Sequence, residues 1–476
     1  MTPKKIAAFT IGPLGAALLG FITLPIITWF FSQEDVGRMS MLQVAIGFST
    51  LFFSLGLDQA YVREFHEVSE KSSLLKVAFL PGLTLLTITL LTVLMFGDAL
   101  ADLLFEIPKK HLSLLGAIAL LAAFVSRFLS LVLRMNEQGI AFSMSQVLPK
   151  LLMLVVIGAY VLIDAEKSLT NLVIANTSAL VFVSVVFAYN TRREWLASVT
   201  APLNIQLLKH MLRFGFPLII GGIAFWGLTA IDKIFLRTLA SFEELGLYSV
   251  AVSFAAAATI LQSVFSTVWA PTVYKWASKG EGLENVNKVI RYMLALVVLA
   301  FCLAGLLSWL VTFFLPPKYT AVQWIVVSCL GFPLLYTLSE TTVVGIGISK
   351  RSSFAMVAAV LSLAINLLGN WLLIPHFGAS GAAATTCFSF WVFFLLRTEF
   401  SIYLWKRIPR LLLYSLTLSC VFGATIFTLW GESLSILMAA YWTLLLCYAS
   451  YAFKSEIRCV VFFLLKKSPV NGATHI

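Results

Sequence analysis

The sequence predicts an all-α polytopic membrane protein of about fourteen transmembrane helices: two parallel six-helix lobes followed by two C-terminal helices. Three observations carry that expectation. The 476 residues are 60% hydrophobic and only 12% charged, with a mean hydropathy of +0.95, far from the composition of soluble domains. Apolar runs of about 20 residues, enough for a helix to cross a hydrocarbon core of roughly 30 Å, recur along the whole chain. One short pattern, Ser-x-Glu-acid-aliphatic-Gly-x-x-Ser, is written twice, as SQEDVGRMS (32–40) and SFEELGLYS (241–249), 209 residues apart.

Taken in order, the predicted spans are 6–31, 36–57, 74–97, 112–136, 141–163 and 169–189 in the first half. The second half gives 213–236, 245–273, 289–315, 322–347, 353–375 and 379–399, and 410–430 and 434–453 close the chain. Their lengths fit helices; membrane strands would alternate over about ten residues. The first run is too long for a signal-peptide core and has no small-residue cleavage site, so it is expected to stay as the first helix, with the N-terminus in the cytoplasm.

Each copy of the repeated pattern follows the first helix of a six-helix set. Six is even, so both halves enter the membrane in the same direction, as parallel repeats about an axis along the membrane normal. The expected units are a lobe at 1–190, a cytoplasmic linker with an amphipathic helix at 191–212, a second lobe at 213–400, and two helices with a cytoplasmic tail at 401–476. In the linker, NIQLLKHMLRF places Lys209 and Arg213 on one face and Ile205, Leu208 and Leu212 on another, the pattern of a helix lying on the membrane surface.

The formal charge of +11 does not imply nucleic acid. Of 33 lysines and arginines, 24 fall in segments on the side of the N-terminus, six outside (Arg38, Lys109, Lys110, Lys167, Arg237, Lys318) and three within helices. That asymmetry is the positive-inside rule. Cys302, Cys329, Cys387, Cys420 and Cys447 lie in predicted helices and Cys459 in the tail, and the five histidines are scattered, so no metal site is expected.

A charge near the bilayer centre costs about 2.5–3.5 kcal/mol on insertion scales and asks for a partner or a water-filled cavity. The in-membrane candidates are Arg127, Lys150, Asp232, Lys233 and Glu340, with Arg63 and Arg134 nearer the inner surface. Arg127 and Lys150 stand about equally far from a turn at Glu137-Gln138-Gly139, each roughly 15 Å deep at 1.5 Å per residue. Two cations at one depth suit a doubly charged anion, and Arg134, seven residues after Arg127, extends them toward the inner mouth. The alternative is that Arg127 and Lys150 pair with Glu340 or Asp232 across the bundle. Glu340, beside Ser339, Thr341 and Thr342, is a candidate carrier of a coupling proton or a salt-bridge partner, and Asp232 and Lys233 a stabilising or gating pair. Pro13, Pro25 and Pro217 mark the helices expected to bend. Nothing resembles an enzyme site: there is no phosphate-binding glycine loop, nucleophile elbow or helical zinc pair. Energy is expected from an H+ or Na+ gradient, the membrane potential or the substrate gradient, with no bound cofactor.

Three stretches, LGLDQAYVREF (55–65), DKIFLRTLASFEELGLYSVAVSF (232–254) and INLLGNWLLIPHFGASGAAATT (365–386), resemble the oligosaccharide-lipid flippases of the polysaccharide transporter family. That family belongs to the multidrug/oligosaccharidyl-lipid/polysaccharide exporter superfamily. The resemblance implies two lobes around a central cavity that opens alternately to each side of the bacterial inner membrane. It implies as substrate an O-antigen or capsule repeat unit on undecaprenyl pyrophosphate, whose lipid tails stay in the bilayer, with other glycan-assembly membrane proteins as possible partners. Helices 1 and 8 would border a side opening, with Gly12, Gly15, Gly20 and Ala255 to Ala258 allowing it or signalling tight packing. Trp226, Trp269 and Tyr336 are the candidate sugar contacts. The competing readings are a lipid II flippase, an ion-coupled multidrug exporter, whose cavity should be acidic, and a membrane glycan polymerase or ligase, which should expose a large outer loop.

Overall fold

The computed structural model describes residues 3–278 and 283–466; Lys279 and Lys467 of the cation tally lie outside them. The first half comprises α1 (Pro3–Phe30), α2 (Gln33–Phe53), α3 (Leu57–Glu64), α4 (Lys71–Met95), α5 (Ala99–Phe105), α6 (Lys110–Met135), α7 (Gly139–Leu162), α8 (Leu169–Asn190) and α9 (Arg192–Thr200). The second comprises α10 (Ile205–Leu239), α11 (Phe242–Ala255), α12 (Thr259–Ser278), α13 (Leu283–Leu307), α14 (Val322–Cys329), α15 (Gly331–Thr342), α16 (Val344–Ile348) and α17 (Ser353–Leu404). Then come α18 (Leu411–Trp430), α19 (Ser435–Ala452) and α20 (Lys454–Lys466), and no strand occurs among the described residues.

Twelve helical stretches are long and apolar enough to cross a membrane. One of them, α17, doubles back at Gly378 (φ 49°, ψ −127°) and so crosses twice, and α1 adds the apolar run Leu14–Phe30. Fourteen crossings result, as the apolar runs predict. Trp371, Phe422, Leu444 and Ile436 are among the large apolar side chains that face outward, as a lipid-facing surface requires.

Hydrogen bonds between turns define the two ends. At the end rich in Lys and Arg, here the basic face, Lys76 Nζ donates to the carbonyls of Val199 (2.9 Å) and Ala201 (2.7 Å), and Asn136 Nδ2 donates to Glu194 (2.9 Å). At the opposite face Lys318 Nζ donates to the carbonyl of Phe31 (2.6 Å), and Arg237 meets Glu106 at 3.2 Å.

The repeated pattern lies at that opposite face and starts α2 and α11. Ser32 accepts from the Asp35 N–H (3.0 Å) and Ser241 from the Glu244 N–H (3.2 Å), so each serine caps its helix. The two corners also pack on each other, reciprocally. A Cβ on Gly37 would overlap the carbonyl oxygen of Phe242, and one on Gly246 would overlap the carbonyl oxygen of Gln33. Only glycine lets the backbones approach so closely. A second glycine crossing, Gly56 (φ 68°) against Gly215, joins the lobes near the basic face.

One expectation needs correction. Residues 205–212 do not form a separate surface helix; they are the first turns of α10, a single helix of 35 residues, because no helix breaker separates them from the span that follows. The linker helix is instead α9. Pro13, Pro25 and Pro217 lie inside helices that continue past them, as a proline-bent helix does. The recorded breaks are at Gly378, at the 3-10 turn Ala256–Ala258 between α11 and α12, and at the joints of α14, α15 and α16. Finally, Gly12 and Gly15 face Ser143 and Val147 of α7, where a Cβ would come within 2.7 and 3.0 Å. They serve tight packing within the first lobe.

Gly37→Val should force the two corners apart, at a cost of about 1–3 kcal/mol for an overpacked contact. In a background without the exposed Cys447 and Cys459, a cysteine at the buried Val36 should react faster with maleimide when Gly37→Val is present. Equal rates would show that the corners do not close on each other.

Candidate functional site

A cavity of about 360 Å³ opens inside the first lobe, lined by Ala17, Gly20, Thr23, Gln43, Gln146, Lys150 and Asn176, with Ser253 and Ala256 from the second lobe. Lys150 projects from α7, and its Nζ donates to the carbonyl of Ala16 at 2.8 Å. Gly20 makes room for it, since a Cβ there would lie 2.9 Å from Nζ. An ammonium has three donors, and the carbonyl uses one. Gln43 Nε2 donates to Asn176 Oδ1 (3.1 Å), while Asn176 Nδ2 is buried without a partner. No acidic side chain lines the chamber among the described residues. A cation and spare N–H donors with no carboxylate suit an anion.

Arg127 does not share that chamber. From α6 it turns to Asp58 of α3, with Nη2 3.1 Å from Oδ2, and is absent from the cavity lining. The turn between α6 and α7 is where the sequence puts it, at residues 136–138. Equal depth is therefore right in register, but depth does not set direction around the helix. Arg134 is exposed in the last turn of α6. Arg63 stacks on Phe214 of α10 (4.4 Å to the ring centre), at the junction of the lobes. The expected cross-bundle pairs of Arg127 or Lys150 with Glu340 or Asp232 do not form.

Glu340 of α15 pairs with Arg397 of the second limb of α17, 2.8 Å apart. Arg397 also donates to Ser339 Oγ (2.6 Å) and lies 5.4 Å from the ring centre of Tyr336 and 5.0 Å from that of Phe393. This pair borders a second cavity of about 350 Å³, with Trp269, Lys350 and Ser352 among its lining. Of the other aromatic candidates, Trp226 packs on Phe48 between the lobes (5.1 Å).

Asp232 is fully buried and links four spans of the second lobe. It accepts from Tyr248 Oη of α11 (2.5 Å), Asn370 Nδ2 (2.7 Å) and Thr386 Oγ1 (2.5 Å), the last two from opposite limbs of α17. Asn370 also donates to Asn366 Oδ1 (3.0 Å), and its own Oδ1 is buried without a partner. No cation lies within 4 Å of Asp232 among the described residues, Lys233 included. Lys233, next in the chain, interacts with Asp232 electrostatically without touching it; a buried carboxylate with no cation in contact is costly and is held here by hydrogen bonds, with a proton or a bound cation as further means of neutralising it. No cluster of three or more His, Cys, Asp or Glu occurs among the described residues.

Sequence reasoning missed Asp58, Asn176, Tyr248, Asn366, Asn370, Thr386 and Arg397. The signal for the uncharged ones was polar residues inside apolar spans, which cost less than charges and stand out less. Arg397 was counted as an inner-surface cation because it lies near a helix end.

The family model described as "Polysaccharide biosynthesis protein" matches residues 3–276, more than half of the chain. No curated protein matches. Among solved structures, the chain is similar to the lipid II flippase MurJ in an inward closed conformation, with TM-score 0.70 and 14% identity over 94% of this chain and 99% of that one. It is also similar to an inward-facing multidrug resistance MATE family transporter of the MOP superfamily, with TM-score 0.57 and 16% identity over 81% of this chain and 94% of that one. These likenesses concern the fold.

If the Arg127–Asp58 contact is a true pair, Arg127→Ala and Asp58→Ala should each lower thermal stability in detergent, and the double variant should lose less than their sum. The expected coupling is about 0.5–3 kcal/mol. Additive losses would mean that Arg127 is free to serve the cavity.

Proposed function

We propose that this chain, which belongs to the polysaccharide biosynthesis protein family, is a flippase for lipid-linked oligosaccharide. It would carry an O-antigen or capsule repeat unit on undecaprenyl pyrophosphate from the inner to the outer leaflet of the bacterial cytoplasmic membrane. The observation that carries the reading is the first-lobe cavity, in which Lys150, Gln43, Gln146 and Asn176 are set in a mainly apolar wall with no carboxylate among the described residues. A pyrophosphate held there would gain more from Lys150 than in water, because the surroundings are of low dielectric. Arg127, Arg134 and Arg63 would guide the anion from the basic face, which the positive-inside rule assigns to the cytoplasm with both termini. The lipid tails would stay among membrane lipids while the headgroup crosses.

Alternating access then amounts to the twin corners parting at the opposite face while the lobes stay joined at the Gly56–Gly215 crossing near the basic face, and the reverse. Of the coupling candidates, Glu340 is matched by Arg397, whereas Asp232 has only neutral donors. We assign to Asp232 the coupling ion, a proton or Na+, with Lys233 beside it. The lysine in the chamber opposes a carrier of cationic drugs, and the connection over residues 98–109, folded as α5, is short where a polymerase or ligase would be expected to expose a large outer loop. Lipid II is the second reading, favoured by the fold shared with MurJ; it has the same pyrophosphate and differs in the glycan.

Deleting the protein from its host should abolish surface polysaccharide and leave lipid-linked repeat units facing the cytoplasm. Lys150→Ala should reproduce that loss with the protein still in the membrane, and Asp232→Asn should remove the response to collapsing the H+ or Na+ gradient. Normal glycan display by Lys150→Ala combined with Arg127→Ala would refute the anion site. Intact polysaccharide with new sensitivity to cationic dyes would favour a drug exporter.

A further inference from the structure

We propose that the second cavity, between Trp269, Glu340, Lys350 and Arg397, is a saccharide subsite that takes a sugar of the lipid-linked glycan beyond the one joined to the pyrophosphate. The proposal rests on the flippase reading and deepens it. At about 350 Å³ the chamber has the size of a small-ligand pocket. Its polar groups are a carboxylate and a guanidinium side by side, 2.8 Å apart. A sugar hydroxyl both donates and accepts, so neighbouring hydroxyls match an acceptor next to a donor.

The groups are held in place before any ligand arrives. Two aromatic rings and Ser339 fix the guanidinium, and Arg397 Nε is buried with no partner. Trp269 donates its indole N–H to the Glu340 carbonyl (2.9 Å) and stacks on Phe265 at 5.4 Å, so its orientation is fixed as well. Such preorganisation lowers the entropy cost of binding. Lys350 stands at the chamber with a left-handed backbone (φ 55°) and no ion pair within 4 Å among the described residues. Two cations and one carboxylate favour a neutral or acidic sugar over an amine.

A salt bridge kept only for stability would not need the chamber, the free lysine or the unsatisfied Nε. The two chambers belong to different lobes: Lys150 and its donors would hold the phosphates, and the second lobe would hold the sugar. A complete headgroup would then engage both lobes at once, and a bare carrier lipid only one.

The test measures binding to the purified full-length protein in nanodiscs of two probes: undecaprenyl pyrophosphate without sugar, and the lipid-linked oligosaccharide extracted from the host's membranes. The wild type should bind the second more tightly. Glu340→Gln and Lys350→Ala should each cut that advantage about tenfold, the loss of one charge-assisted hydrogen bond, with affinity for the bare carrier unchanged. Unchanged affinity for the bare carrier also shows that the variants fold. If both variants keep the full advantage while Lys150→Ala loses both probes, the subsite is overturned and the flippase reading stands. If the wild type binds neither probe, the flippase reading fails and takes the subsite with it.

Discussion

Inside a hydrocarbon slab an ionised side chain must be met by an opposite charge, a set of hydrogen bonds or water, and the interior of this protein is arranged around four answers to that demand. Arg127 is met by Asp58 and Glu340 by Arg397. Asp232 is met by hydroxyl and amide donors from three other spans. Lys150 is met by one backbone carbonyl and a cavity. The first two answers pair opposite charges in contact, whereas the last two meet a charge with neutral groups and leave room for a counterion from outside the chain.

The two lobes therefore share a backbone plan but not a chemistry. The first keeps a cation without an acidic partner beside a chamber of mainly apolar wall. The second keeps an acid held by neutral donors in its sealed interior and a salt bridge at the edge of a chamber of its own. Any ligand or ion that balances these charges in only one arrangement of the lobes shifts the equilibrium between arrangements, by as much as its affinities differ. Asp232 ties α10, α11 and both limbs of α17 together, so a change in its charge is felt by the elements that carry the second lobe's half of the closed corner.

Most of the architecture was legible in the sequence because hydrophobic length is a strong, local signal. The fourteen crossings, the doubling back after residue 375 and the turn after Met135 all follow from it. The site was only partly legible. Lys150 could be found as a charge in an apolar span, but its separation from Arg127 depends on helix rotation, which a count of residues from a turn does not fix. Arg397 was missed as the partner of Glu340 because the two are 57 residues apart and meet only through the packing of α15 on α17. The 3-10 turn at Ala256–Ala258 carries no glycine or proline to betray it, and Pro25 and Pro217, which do look like breakers, sit in continuous helix.

The reciprocity of the twin corners has a further meaning. Gly37 meets Phe242 as Gly246 meets Gln33, which is the arrangement of an isologous dimer interface, with both subunits written into one chain. A free dimer held by so small a patch would fall apart whenever it opened. Here α9 and the segment after it, pinned to α4 through Lys76 and Ser73, keep the halves together at an effective concentration on the order of millimolar or more. A contact that weak could open without either half losing its partner.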